Sequence, residues 1–207
     1  MTQTQLYLIS PPVFNLDDFA GQLEEALAGG PVASLQLRMK DAADEEIIKA
    51  AEVLMPICHA RDVAFILNDH VNIAKKIGAD GVHLGQSDMN YSDARAILGP
   101  DRAIGMTCKD SRHLSMIAAE QGADYVAFGA FFPSQTKKNT SPADKEILSW
   151  WVELFEVPCV AIGGITVENA RELIDTGVDF LAVSGGVWHH KKGPKEAVSQ
   201  FNILFAD

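Results

Sequence analysis

Eight short apolar runs recur along the chain, and segments with helical periodicity separate them. Most runs end in polar residues or glycine, which is typical of strands buried on both faces of a parallel sheet. The pattern predicts strands at residues 6–10, 34–38, 64–68, 81–85, 103–107, 125–129, 159–163 and 180–184. It predicts one helix that begins near residue 15, and seven more at 44–61, 70–77, 91–98, 111–121, 143–155, 167–175 and 194–205.

The alternation of strands and helices predicts a parallel sheet with helices outside it. Eight strands in a chain of 207 residues close more naturally into a barrel than into an open doubly wound sheet. We therefore expect an α/β fold, a single (β/α)8 TIM-barrel domain over residues 1–207, with its site at the carboxyl ends of the strands. A repeat supports this fold, because GADGVHLG, GADYVAFG and GVDFLAVS each join a helix end to a strand, at 78–85, 122–129 and 177–184.

The composition narrows the classes of function. The formal net charge is −11, so general attraction to nucleic-acid phosphates is not expected. No apolar run approaches the roughly 20 residues that span a bilayer, and the polar residues 1–5 lead directly into a strand. We therefore expect a cytoplasmic protein that binds neither nucleic acid nor membrane, with a homodimer left open.

The three cysteines, Cys58, Cys108 and Cys159, are widely spaced and contain no C-x-x-C pair. Such spacing favours neither a zinc site nor a disulfide framework. We expect buried thiols at all three positions, although Cys108 follows a strand and a nucleophilic role is its alternative.

Polar residues collect at the carboxyl ends of the predicted strands, which converge on one mouth of a parallel barrel. Asp69 and Asp88 follow the third and fourth strands, so their carboxylates are placed to share one divalent cation. The other candidates at this mouth are Gln36, Arg38, Lys40, Asn68, His83, Gln86 and Thr107.

These residues also have structural interpretations. Asp69 and Asp88 both precede predicted helices and are candidates for N-caps, a role that does not exclude metal binding. Arg38 and Lys40 are compatible with a solvated, salt-bridged strand end, although an inward arginine is costly unless it meets an anion. His83 is equally compatible with a hydrogen-bonded core position and with a substrate contact.

Glycine pairs follow the seventh and eighth strands, at 163–164 and 185–186. The loops after these strands form the usual phosphate site of such barrels, and the alternative is that the glycines only form turns. Ser184 adds a hydroxyl, and the loop at 133–138 adds further anion-binding groups. The predicted mouth therefore has a metal and cationic side chains on one side and a phosphate pocket on the other. This arrangement suits a transferase that acts on two phosphorylated small molecules.

Six segments resemble the thiamine phosphate synthase family, in the family's order and across essentially the whole chain. They are QLRMK at 36–40, ILND at 66–69, GADGVHLGQSDM at 78–89, FPSQTKK at 132–138, VAIGGITVENA at 160–170 and AVSGG at 182–186. The resemblance implies a TIM barrel that joins 4-amino-2-methyl-5-hydroxymethylpyrimidine diphosphate to 4-methyl-5-(2-hydroxyethyl)thiazole phosphate. The products are thiamine phosphate and pyrophosphate, formed through a pyrimidine carbocation.

The same resemblance implies a role for each candidate residue. It assigns Mg2+ to Asp69 and Asp88. It assigns the diphosphate to Arg38, Lys40, Asn68 and Lys137, and places Gln36 and Thr107 near the pyrimidine. It assigns the thiazole phosphate to Ser134, Thr136, Gly164, Ser184 and Gly185.

Four positions depart from the family's pattern, and the one at Lys109 bears on the nearest rival function. Met39 replaces a common glutamate, and Ser134 stands for a common threonine. Thr107 stands where the family usually has serine and keeps the hydroxyl, while Lys109 replaces a frequent histidine. That histidine would be the proton-transfer candidate of a thiazole tautomerase, the nearest rival on this barrel. A non-catalytic thiamine phosphate-binding protein would be expected to lose Asp69, Asp88 or Lys137. A sugar-phosphate isomerase or epimerase would not require the cations at 38–40.

Overall fold

The apolar runs form a closed barrel of parallel strands. The computed structural model describes residues 3–133 and 143–206. Within these ranges the strands are β1 Gln5–Ile9, β2 Ser34–Leu37, β3 Ala64–Asn68, β4 Gly81–Leu84, β5 Ala103–Lys109, β6 Tyr125–Gly129, β7 Cys159–Ile162 and β8 Phe180–Val183. Each strand pairs with the next along the chain, and β8 pairs with β1. The predicted TIM barrel is confirmed, and every observed strand end lies within two residues of its predicted position.

Helices follow the strands and pack against them and against one another. In the described ranges they are α1 Leu16–Leu27, α2 Asp44–His59, α3 Val71–Ile77, α4 Tyr91–Leu98, α5 Arg112–Gln121, α6 Glu146–Leu154, α7 Arg171–Ile174, α8 Gly185–Trp188 and α9 Pro194–Ala206. None of these helices is long and apolar enough to cross a membrane.

Three helices differ from the prediction. Helix α6 begins at Glu146, three residues later than predicted. Helix α7 begins at Arg171 rather than near residue 167, because the side chain of Asn169 holds the preceding segment as a loop. Its Oδ1 accepts the N–H of Thr166 at 2.8 Å, and its Nδ2 donates to the carbonyl of Gly164 at 3.0 Å. The single-turn helix α8 was not predicted, because its two glycines were interpreted only as loop residues.

The barrel has an apolar outer layer and an interior that becomes polar toward the mouth. Alternate residues of a strand point to opposite faces, so Leu6 and Leu8 of β1 pack outward, beneath the helices. The apolar inner cluster consists of Tyr7, Ile9, Tyr125, Ala127, Val160 and Ala182. Buried polar side chains on the inner face, Gln36, Asn68 and His83, lie nearer the carboxyl ends. The interior is therefore suited to holding a polar ligand at that end.

The aspartates of the internal repeat fasten the opposite end of the barrel. Each carboxylate accepts a backbone N–H at the start of the preceding strand. The bonds run from Phe65 to Asp80 at 2.6 Å, from Ile104 to Asp124 at 2.7 Å and from Cys159 to Asp179 at 2.9 Å. The repeat therefore links neighbouring strands, in addition to forming the turns that the sequence predicted.

Candidate active site

Cations and a carboxylate meet where β2 and β3 end. Strand β2 stops at Leu37, so Arg38 and Lys40 lie just beyond it, the first half-buried and the second exposed. Lys40 Nζ lies 3.6 Å from Asp69 Oδ2. Asn68, the last residue of β3, is buried and pairs in register with His83 of β4. Residues predicted to bind diphosphate are therefore neighbours of a predicted metal ligand.

Asp69 occupies a constrained and electrostatically crowded position. Its φ is +64°, in the left-handed region that non-glycine residues rarely adopt, and its N–H donates to the carbonyl of His83 at 2.9 Å. The pKa of the Asp69 carboxyl is raised, mainly by burial and further by neighbouring Asp88. The charges of Lys40 and Arg38 lower it in part. Two crowded carboxylates form a place where a divalent cation would relieve repulsion.

Asp88 is held by the loop that follows β4. Its Oδ2 accepts the N–H of Gly85 at 2.6 Å. Neither Asp69 nor Asp88 is an N-cap, because α3 is preceded by His70 and α4 by Asn90. The N-cap interpretation of the two aspartates is therefore wrong, and both carboxylates remain available at the mouth.

The barrel interior contains a chain of five hydrogen-bonded side chains below the mouth. Gln36 Nε2 donates to the Tyr7 hydroxyl at 2.9 Å, and the hydroxyls of Tyr7 and Tyr125 are 3.0 Å apart. His83 Nδ1 lies 3.0 Å from the Tyr125 hydroxyl, and His83 Nε2 lies 2.7 Å from Thr107 Oγ1. The structure thus connects Gln36 and Thr107, the two residues predicted to lie near the pyrimidine.

Burial controls the ionisation of this chain. It lowers the pKa of His83 to about 4 and raises that of Tyr7 to about 12. The pKa of Tyr125 is also raised well above its ordinary value, again chiefly by burial. All three side chains are therefore neutral near pH 7, and His83 is a hydrogen-bonded residue of the interior that also reaches Thr107.

Glycines allow the loops after β6, β7 and β8 to approach closely. Gly164 has a φ of +65°, and a Cβ there would lie 2.5 Å from the carbonyl oxygen of Pro133. A Cβ on Gly186 would lie 2.3 Å from the carbonyl oxygen of Ile165. Ser184 directly precedes α8, and Gly185 is its first residue. The close approach of Gly186 to Ile165 therefore brings together the loops after β7 and β8, which carry the predicted phosphate-binding positions Gly164, Ser184 and Gly185.

Ser10 joins the two sides of the mouth, a role that no sequence motif indicated. Its Oγ accepts the N–H of Arg38 at 2.9 Å, and its carbonyl accepts the Ser184 hydroxyl at 3.4 Å. Tyr7 and Tyr125 were missed as well, because a tyrosine inside an apolar strand resembles an ordinary core residue. Their alternation onto the inner face was the available signal.

The remaining predictions concern the loop after β6, the three cysteines and Lys109. Ser134, Thr136 and Lys137 lie outside the described residues. The three cysteines are buried and free, and burial raises the pKa of Cys108 to about 12, which argues against a nucleophilic thiolate. Lys109 is exposed at a β-bulge in β5, with a φ of +55°.

A cavity of about 720 Å³ opens at the amino-terminal end of the barrel. Tyr7, Ser34, Ala64, Tyr125 and other residues of the lower barrel line it. Its described lining contains one charged side chain, that of Asp62. We place the active site at the opposite end, because the carboxylates and cations lie there and TIM barrels carry their chemistry there.

Comparison with known proteins identifies the family of the chain. The family model described as "Thiamine monophosphate synthase" matches residues 6–187. A thiamine-phosphate synthase of Rhodospirillum centenum is 59% identical over 202 residues, 98% of each chain. One of Hyphomonas neptunium is 50% identical over 210 residues, covering 98% of this chain and 94% of that protein.

A solved structure gives the same result. The thiamine phosphate pyrophosphorylase of Pyrococcus furiosus superposes with a TM-score of 0.84 at 31% identity, covering 98% of this chain and 95% of that one. The family match, the close relatives and this structure all cover nearly the full barrel. The chain therefore belongs to the thiamine monophosphate synthase family.

Proposed function

We propose that this protein condenses 4-amino-2-methyl-5-hydroxymethylpyrimidine diphosphate with 4-methyl-5-(2-hydroxyethyl)thiazole phosphate, releasing pyrophosphate and forming thiamine phosphate. The observation that carries the proposal is the convergence of Arg38, Lys40, Asn68, Asp69 and Asp88 at one side of the mouth. Relatives named thiamine-phosphate synthase at up to 59% identity support the same activity. One catalytic domain over 1–207, the cytosol as compartment and a homodimer remain predictions.

Arg38 and Lys40 would bind the diphosphate of the pyrimidine substrate. Arg38 stands half-buried beside the mouth and Lys40 lies against Asp69, so both cations are close to the proposed leaving group. The Asn68 side-chain amide can donate to a phosphate oxygen from the end of β3. Lys137 is the further cation that the family resemblance adds. Positive charge fixed here stabilises the negative charge that develops as the leaving group departs.

Asp69 and Asp88 would hold Mg2+, and their arrangement fits that ion. The described residues contain no cluster of three or more His, Cys, Asp or Glu side chains able to form a complete protein shell. Mg2+ is usually held by one or two carboxylates together with substrate phosphates and water, so a pair of aspartates beside a diphosphate site is sufficient. When bound, Mg2+ would neutralise charge on the departing pyrophosphate.

The reaction needs little acid–base catalysis from the protein. The C–O bond between the pyrimidine methylene and the diphosphate breaks, and its electron pair leaves with the pyrophosphate. The thiazole nitrogen then donates its lone pair to the pyrimidine methylene cation, forming the new C–N bond. Gln36 and Thr107 would orient the pyrimidine ring, and the closed barrel beneath them would limit access of water to the cation.

The thiazole phosphate would bind on the other side of the mouth. Gly164, Ser184 and Gly185 lie in the adjacent loops after β7 and β8, where barrels of this type commonly bind phosphate. Ser134 and Thr136 are the remaining proposed ligands. The Ser10 bridge between Arg38 and Ser184 would set the spacing of the two anion sites.

Product formation from the two substrates in Mg2+ tests this function. Thiamine phosphate and pyrophosphate in equal amounts are the expected result. If neither forms, the carboxylated thiazole tautomer should be offered alone, since its isomerisation would identify a tautomerase. Binding of thiamine phosphate without either reaction would instead identify a binding protein, and both results would contradict the proposal.

A further inference from the structure

With Gln36 Nε2 as the first donor, one pattern of donation along the chain beneath the mouth gives every shared hydrogen an acceptor. Gln36 Nε2 donates to the Tyr7 oxygen, so the one hydroxyl hydrogen of Tyr7 is left for Tyr125. The Tyr125 hydrogen then points to His83 Nδ1. A neutral imidazole that accepts at Nδ1 carries its hydrogen on Nε2, and this N–H donates to Thr107 Oγ1.

The direction of the chain decides what its two ends present to a ligand. Gln36 Nε2 gives one of its two hydrogens to Tyr7, so the amide is held with its carbonyl oxygen turned away from Tyr7, where it is left as an acceptor. The Thr107 oxygen accepts from His83, so its own hydrogen is left as a donor. Among the described residues, the side-chain hydrogen bond of Gln36 runs to Tyr7 and that of Thr107 to His83, so Gln36 Oε1 and the Thr107 hydrogen are the groups left for a ligand.

We propose that Tyr7, Tyr125 and His83 are positioning residues that fix Gln36 as an acceptor and Thr107 as a donor, and that this polarity selects a 4-aminopyrimidine over a 4-oxopyrimidine. The inference rests on the proposed function and extends it to substrate selection. An amino group offers an N–H to Gln36, and an unprotonated ring nitrogen accepts from Thr107. A 4-oxo ring places a carbonyl against the Gln36 oxygen, which leaves two acceptors facing each other.

The packing of the chain makes its polarity hard to reverse. The Tyr125 ring lies across Gly105, where an added Cβ would be 1.9 Å from its Cζ atom. The Tyr7 and Tyr125 rings meet edge to face at 6.0 Å, and the His83 ring stacks on Tyr125 at 5.6 Å. Gln36 is only 3% exposed. This packing holds the rings in place. Rotating the Gln36 amide or the His83 imidazole would exchange donor and acceptor at its hydrogen bonds, so every other member of the chain would have to exchange them as well.

Binding of two unreactive ligands separates this inference from the proposed function. Both are pyrimidine diphosphate analogues with a methylene in place of the ester oxygen, so that the leaving group cannot depart. One carries the 4-amino group and the other a 4-oxo group. Calorimetric dissociation constants should favour the amino ligand in the wild-type protein. Failure of both ligands to bind would contradict the proposed function, whereas equal binding of the two would contradict only the polarity inference.

Tyr7→Phe and Tyr125→Phe test the positioning role. Each removes one hydroxyl of the chain and frees Gln36 or His83 to rotate, so the preference for the amino ligand should fall about tenfold. The matched control is Tyr91→Phe, a buried tyrosine whose hydroxyl donates to the Gly122 carbonyl outside the barrel interior; it should keep the wild-type preference. Equal weakening of both ligands would indicate a purely structural role and would overturn the inference.

The His83 tautomer provides a test that needs no variant of the tyrosines. 15N NMR of the imidazole, assigned with His83→Gln, should show hydrogen on Nε2 and a bare Nδ1. Hydrogen on Nδ1 would reverse the chain, present a donor from Gln36 and refute the proposed selection.

Discussion

Lys40 Nζ lies 3.6 Å from Asp69 Oδ2, at the junction between the proposed cation and metal groups of the mouth. The Asp69 side chain is 21% exposed and that of Lys40 is 49% exposed, so this pair contributes little to stability. The pair places the Lys40 ammonium group next to the carboxylate proposed to bind Mg2+. A bound diphosphate would therefore contact both the lysine and the metal.

Replacing Asp69 should therefore affect catalysis far more than folding. Asp69→Ala is expected to lower turnover by roughly 10² to 10³-fold, because charge on the leaving group loses its stabilisation. Steady-state kinetics in saturating Mg2+ provide the measurement. Asp101→Asn, at an exposed aspartate just before β5 and thus at the opposite end of the barrel from the mouth, should retain wild-type turnover. Near-normal turnover in Asp69→Ala would remove this carboxylate from the mechanism.

Ser184→Ala should act on the second substrate. Loss of one hydroxyl contact to the thiazole phosphate is expected to raise its KM about tenfold with little change in kcat. The KM for the pyrimidine diphosphate should stay unchanged. Ser92→Ala, on the exposed face of α4, is the matched control. An unchanged KM for thiazole phosphate would place that phosphate elsewhere.

Two glycine substitutions with opposite expected effects test the packing of the interior. At Gly105 an added Cβ would collide with the Tyr125 ring at 1.9 Å, whereas at Gly21 in α1 nothing lies within 4 Å. Gly105→Ala should destabilise the fold by about 1–3 kcal/mol through overpacking. Gly21→Ala should stabilise it by about 0.5–1 kcal/mol, since glycine is unfavourable inside a helix. Urea unfolding measures both, and a neutral Gly105→Ala would mean that the Tyr125 ring is free to move.

His83 should make stability depend on pH in the weakly acidic range. Its pKa is about 4 in the folded protein, against an ordinary value of 6.5. Between these values the unfolded chain binds a proton that the folded protein does not, so stability falls as pH decreases from 6.5 toward 4. The effect amounts to about 2 kcal/mol at pH 5.

Urea unfolding at pH 7 and pH 5 checks this dependence. His83→Gln retains the other titratable groups of the protein, so it should lose about 2 kcal/mol less stability than the wild type between the two pH values. An identical loss in both proteins would show that His83 is not held neutral by burial.

The sequence predicted the barrel because eight buried strands have a strong periodic signal. It predicted the carboxylate pair because Asp69 and Asp88 lie within four residues of the ends of the third and fourth strands. It could not predict the length of α7, which depends on a side-chain contact from Asn169 to Gly164. It also missed Tyr7 and Tyr125. Their hydroxyls meet only because closure of the barrel brings β1 and β6 together across the interior, a contact between residues 118 positions apart.

The most direct measurement of the central claim is thiamine phosphate formation by EDTA-treated protein before and after Mg2+ is restored. We predict no turnover in EDTA and recovery with Mg2+ in the wild type, with Asp69→Asn and Asp88→Asn requiring far more Mg2+ to recover. Full turnover in EDTA, or identical Mg2+ dependence in the two variants and the wild type, would contradict the assignment of this mouth as a magnesium–diphosphate site.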